Sequence, residues 1–131
     1  MNVLPINPPE LPVLTGVVSH GVALPDLGLV YTSGQVAWDA DGKVVGDDLT
    51  AQFIRAYENV DLVLAAAGSS RDRVIKETIY LAGYTTDQAQ QVIELLTAAR
   101  GGHVPPASSA IGVQSLYADG FLVEIETVAV I

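Results

Sequence analysis

The stretch that most limits what this chain can become is its last eleven residues, FLVEIETVAVI, positions 121–131. Extended as a strand, it puts Leu122, Glu124, Glu126, Val128 and Val130 on one face. Phe121, Val123, Ile125, Thr127, Ala129 and Ile131 fall on the other. Two glutamates in a strand that is apolar on both faces are costly unless they meet water, hydrogen-bond donors or a ligand. One reading turns that part of the face toward solvent or a polar interface. The other makes a glutamate a pocket carboxylate, its pKa raised by burial, that can move protons.

The rest of the chain supplies partners for this strand. Residues 1–12 are rich in proline and predict an extended lead-in. VLTGVVSHGVAL and LGLVYTSGQVAW then read as two strands joined by a turn at Pro25-Asp26. Leu49, Phe53, Tyr57, Val60 and Leu64 recur at helical spacing, and Gly68 stops that helix. RVIKETIYLAG alternates as a strand. Thr85 and Gln88 stand at capping-box spacing ahead of a second helix with Ala89, Val92, Ile93, Leu96 and Ala99 on one face. SSAIGVQSL and the closing strand follow, linked by the turn YADG. The order β-β-α-β-α-β-β predicts one α+β domain over residues 1–131, with a mixed sheet and both helices on one sheet face.

The other face then needs cover. Hydrophobic residues form 50% of the chain and charged ones only 16%, against about 25% charged in an average soluble domain. A domain this small hides only about two thirds of its unfolded surface. Further copies of the chain are the expected cover. The net charge of −9, with six Lys and Arg in all, forms no basic patch and weighs against nucleic acid. No residue is a cysteine, so disulfide and thiolate chemistry are excluded. The first residues lack a basic start and an unbroken apolar run. They read as neither signal peptide nor membrane span, and the cytoplasm is the expected compartment.

Few motifs carry chemistry. His20 and His103 have no paired ligands at useful spacing, so no metal is expected, and His20 reads as a polar residue at a strand end. No G-x-S-x-G elbow or phosphate loop is present, and Gly101-Gly102 reads as a helix stop. Glu77, read as sharing a face with Ile75 and Ile79, is expected to be an edge or interface charge.

Two long segments, from YTSGQVAWDADGKVV through VIKETIYL, and from PPASSAIGV to the C-terminus, resemble the RidA/YjgF family of reactive-intermediate deaminases, also known as endoribonuclease L-PSP. The resemblance implies a chorismate-mutase-like fold assembled as a homotrimer, with a central β-barrel inside and helices outside. It further implies ligand clefts between subunits, no cofactor, and hydrolysis of enamines and imines to keto acids and ammonia. In such proteins the arginine of a Pro-Ala-Arg-Ser motif grips the substrate carboxylate through its planar fork. Here Ser108 falls on that arginine, Ser109 on the motif serine, and Ala110 on a position often held by Cys or Thr. The family's pocket glutamate falls on Glu124, and its serine donor on Ser33, beside Gly34. Its pocket-closing tyrosine falls near Val18.

Losing a charge-assisted contact forfeits roughly 1.5–3 kcal/mol per bond. The resemblance therefore implies a divergent hydrolase with catalytic Glu124 and a neutral or atypical substrate at the subunit interfaces. The alternative is a trimer that binds a metabolite without turning it over. RNA cleavage ranks last, on charge.

Overall fold

A computed structural model describes all 131 residues. The elements are β1 (Leu4–Ile6), β2 (Gly21–Leu24), β3 (Leu29–Thr32), β4 (Gln35–Val36), α1 (Leu49–Ala66), β5 (Val74–Ala82), α2 (Ala89–Arg100), β6 (Ala107–Val113) and β7 (Val123–Val130). They form one sheet in the order β1-β2-β3-β7-β5-β6, with β4 also pairing with β7. Every pair is antiparallel except β5–β6. Parallel neighbours need a long crossover, and α2 is part of it. No helix is long and apolar enough to cross a membrane.

Helix α1 starts where Asp48 Oδ1 accepts the Ala51 amide at 2.8 Å. Its buried stripe includes Phe53, Ala56, Tyr57, Val60 and Leu64. It packs with Val92 of α2 on Val30, Ile79, Leu81, Val123, Ile125 and Ala129 of the sheet. Both helices therefore cover one face. In β7 the residues of this face are buried, whereas Glu124, Glu126 and Val128 are only half-buried on the other. That second face has no cover within the chain.

The structure differs from expectation at several places. The first expected strand, residues 13–24, is strand only at its end, because residues 15–17 form a turn. The lead-in contributes a short strand instead, with Leu4 opposite Ala23. Val92, Leu96 and Ala99 of the predicted stripe pack toward the sheet, but Ile93 is 55% exposed, because α2 turns Leu95 inward in its place. Ile75 is exposed rather than on Glu77's face, because the β5–β7 register slips between Val74 and Lys76.

Glu77 is the largest departure. It is 2% exposed on the helix side and pairs with Arg100, itself 7% exposed, at 2.8 Å. Tyr57 donates its hydroxyl to the same oxygen, Oε1, at 2.6 Å. Burial, and then the Glu77 carboxylate, push the Tyr57 phenol well above its ordinary pKa. Arg71 lies 4.3 Å over the Tyr57 ring as a cation–π partner.

His20 is likewise buried rather than a plain strand-end residue. Its Nε2 lies 2.7 Å from the Pro12 carbonyl, which can only accept, so Nε2 carries the proton. Its Nδ1 then accepts from Gln35 Nε2 at 3.1 Å, while Trp38 Nε1 donates to Gln35 Oε1 at 3.4 Å. This chain of bonds holds the lead-in against β4. From the other side, buried Asn59 of α1 donates to the carbonyls of Val36 and Trp38 at 2.9 and 3.0 Å. Val36 keeps the bond from the Trp38 amide at 2.9 Å, so replacing Asn59 by alanine strands the Trp38 carbonyl alone. The expected loss is about 1–3 kcal/mol, seen as a lower urea midpoint at unchanged slope.

Candidate functional site

Glu124 sits opposite Val36 of β4 and Tyr80 of β5, on the uncovered sheet face. Residue 34 is glycine for a steric reason. A Cβ there would lie 2.8 Å from Glu124 Cγ and 2.6 Å from Cδ, and would collide with Oε2. The glutamate thus lies against bare backbone. Burial, and then the charge of Glu126, raise the Glu124 pKa above the usual carboxylate range. Glu126 accepts the Tyr80 hydroxyl at 2.6 Å, and that bond raises the Tyr80 phenol in turn. No group of three or more His, Asp or Glu side chains is placed to hold a metal ion.

Ser33 immediately precedes Gly34, the residue against whose backbone the Glu124 side chain lies. Its hydroxyl donates to the Ser19 carbonyl at 2.6 Å, and its amide donates to the His20 carbonyl at 2.8 Å. The serine proton is therefore engaged within the chain, and its lone pairs remain for a ligand donor. Val18 is 45% exposed and lines a shallow cleft with Pro5, Asn7, Thr15 and Ser19. The Ser33–Ser19 bond ties that loop to the Gly34 backbone.

Strand β6 is the sheet edge, and its two serines face opposite ways. Ser109 is level with Thr78 and accepts from Lys76 Nζ at 3.1 Å, on the uncovered face. Ser108 is level with Glu77, and Ala110 with Ile79, on the helix side. Ser108 lies at the mouth of a cleft of about 350 Å³ between α2 and β6, lined also by Glu77, Leu96, Thr97, Arg100 and His103.

Strand register separates Ser108 from Glu124 within one chain. Ser108 is level with Glu77, Glu77 with Thr127, and Thr127 is three residues beyond Glu124. Two strand spacings and three residue rises put their Cα atoms roughly 14 Å apart, with side chains on opposite faces. One chain brings Ser33, Gly34 and Glu124 together, and leaves Ser108 and Ala110 elsewhere.

Sequence reasoning did not find Arg100 as a lining residue of the Ser108 cleft. An arginine just before a glycine helix stop is an ordinary helix ending, so nothing local marks it. Tyr80 became visible only through the strand register.

Comparisons with known proteins follow the same outline. The family model described as Endoribonuclease L-PSP matches residues 15–131. A RutC family protein of Aquifex aeolicus is 32% identical over 127 residues, covering 95% of this chain and 97% of that protein. The conserved Rid family protein YyfA from Yersinia pestis superposes with a TM-score of 0.87 at 30% identity, over 99% of this chain and all of that one. E. coli TdcF, solved with bound serine, superposes at 0.83 and 27% identity, over 98% of each chain.

The raised Glu124 pKa has a definite sign in stability. The folded chain holds this proton more tightly than the unfolded one, so the stability contributed by the group is fully present below the ordinary carboxylate pKa. It declines as pH rises through the higher folded value. Glu124→Gln, which stays neutral, is therefore expected to stabilise the protein at pH 7. The gain should vanish below about pH 4.5, the unperturbed value, in denaturation curves recorded across pH.

Proposed function

Because the chain belongs to the endoribonuclease L-PSP family, the RidA/YjgF group, we propose that it is a small-molecule hydrolase of neutral enamines or imines. It works as a homotrimer around a central β-barrel, in crevices shared by neighbouring copies. The observation that carries the reading is Glu124, a half-buried carboxylate of raised pKa pressed against the backbone of Gly34. A pKa moved toward neutrality suits a group that must both take and return a proton.

In the proposed reaction, Glu124 takes a proton from water as the water oxygen adds to the imine carbon. That proton is delivered to nitrogen, giving the neutral carbinolamine. Glu124 then takes the hydroxyl proton and passes it to the nitrogen as the C–N bond breaks, so that a carbonyl compound and ammonia leave and the carboxylate is regenerated. An enamine enters by protonation at carbon. No cofactor is required for this sequence of proton transfers.

The shared crevice rests on register. A ligand of a few heavy atoms cannot reach both Glu124 and Ser108 of one chain across roughly 14 Å and two faces. A second copy lying along edge strand β6 supplies the missing half in either direction. Ser108 and Ala110 would line the β6 half from the helix side, with Ser109 on the opposite face of the same edge strand, and Ser33 and Gly34 would line the other half. The edge strand and the uncovered face, with Tyr31 and Ile111 exposed on it, support such packing. Serine bound in TdcF supports a pocket of small-metabolite size. RNA is not favoured at a net charge of −9.

The neutral substrate follows from Ser108, which can make one uncharged hydrogen bond where the family's arginine would clamp an anion. That substitution also favours a second reading, a trimer that binds its ligand without turnover. Light scattering should give three times the mass of one chain, and a monomer would overturn the shared crevice. In steady-state assays, 2-iminobutanoate should be a poor substrate and its carboxamide a better one. Glu124→Gln should lower kcat on the carboxamide by about 10²–10⁴-fold. Ser108→Arg should restore the anionic substrate. Turnover indifferent to Glu124 would remove the hydrolase, and binding without turnover would leave the second reading.

A further inference from the structure

The cleft between α2 and β6 holds a feature that neither the family motif nor the reaction above uses. Its floor is the buried Glu77–Arg100 pair. Both hydrogen bonds to the Glu77 carboxylate fall on Oε1, one from Tyr57 and one from Arg100. No fully buried side-chain oxygen or nitrogen in the chain lacks a partner. Oε2 makes no hydrogen bond, so it is an atom through which this otherwise enclosed residue reaches the cleft. Arg100 donates to Glu77, to Tyr57 and, at 3.4 Å, to the Arg71 carbonyl. A guanidinium has five N–H donors, so donors remain.

Above this floor the walls are Leu96, Pro105 and Pro106, and Ser108 stands at the mouth. A free acceptor and free donors on one wall set what can bind. An anion would meet the unpaired Oε2, and a cation would meet the guanidinium. A planar neutral group with N–H and C=O on one edge satisfies both, in charge-assisted bonds.

We propose that this cleft recognises a primary carboxamide or ureido group, with Glu77 Oε2 accepting its N–H and Arg100 donating to its carbonyl. The proposal rests on the reaction read above and deepens it. The amide occupies one copy's α2–β6 cleft, and the imine carbon, bonded directly to the amide carbon, lies beside Ser108, where Glu124 of the neighbouring copy closes the opening. The anion grip lost at position 108 is thereby replaced, from the end of a helix, by a neutral-group grip.

Calorimetric titration of the assembled protein with 2-oxobutanamide and with 2-oxobutanoate tests this. The amide is expected to bind at least tenfold more tightly than the carboxylate. Thr97→Trp fills the cleft from an exposed position and should abolish amide binding at unchanged Tm. The double variant E77Q/R100Q keeps a hydrogen-bonding pair without charge, and it should lose the preference. If that variant does not fold, Thr97→Trp still decides. Equal or tighter binding of the carboxylate, or amide binding that survives Thr97→Trp, overturns the proposal. Glu124→Gln separates the two readings. Glu124-dependent hydrolysis without amide binding sinks the carboxamide site alone. Amide binding with turnover indifferent to Glu124 sinks the hydrolase and leaves the site standing.

Discussion

Strand β7 is the constraint on which the rest of the structure depends. It is bonded on one side to β3 and β4 and on the other to β5. Its backbone is therefore satisfied from both directions, and its side chains alternate between two environments. Val123, Ile125, Thr127 and Ala129 are buried on the helix side. Glu124 and Glu126 cannot share that core without a large desolvation cost, so the register of the whole sheet is pinned by their facing the other way. The same alternation that builds the core thus delivers a carboxylate to a chosen point, and Gly34 permits its close approach.

The two halves of the candidate site make different demands on the chain. The Glu124 half is assembled from one chain, by β4, β7 and the Ser33–Ser19 bond. It is held in place by side chains that do no chemistry themselves, notably Asn59 under β4 and the His20–Gln35–Trp38 bonds beside it. The Ser108 half lies on an edge strand, which offers unpaired backbone and half a cleft. Edges of this kind are covered or become interfaces, and in the proposed trimer the interface and the site are the same place.

The buried Glu77–Arg100 pair is not an economical way to stabilise a core. Taking both charges out of water costs several kcal/mol for each ion, and well-packed apolar residues often do as well or better. Arg100 and Tyr57 both converge on one oxygen and leave the other free. A purely structural bridge gains most by satisfying both oxygens. The asymmetry is what sets this cleft apart from the other hollows of the surface.

Much of the fold was legible in the sequence because it is encoded locally. Helical spacing marked α1, alternation marked β5 and β7, and glycines marked the stops. The motif residues around 108 and 124 were legible too, as positions in a pattern. The first strand was not, because valines and glycines around residues 13–20 suit a strand as well as the turn that forms. Ile93 was misplaced because one apolar residue beyond a stripe cannot be told from a member of it. Above all, Glu77 finds Arg100 across 23 residues and a crossover, and nothing local to either side chain announces the other. Periodicity along the chain determined which residues share a face. Only the tertiary structure decided which strands lie side by side, and hence that Ser108 and Glu124 point to opposite sides of one sheet.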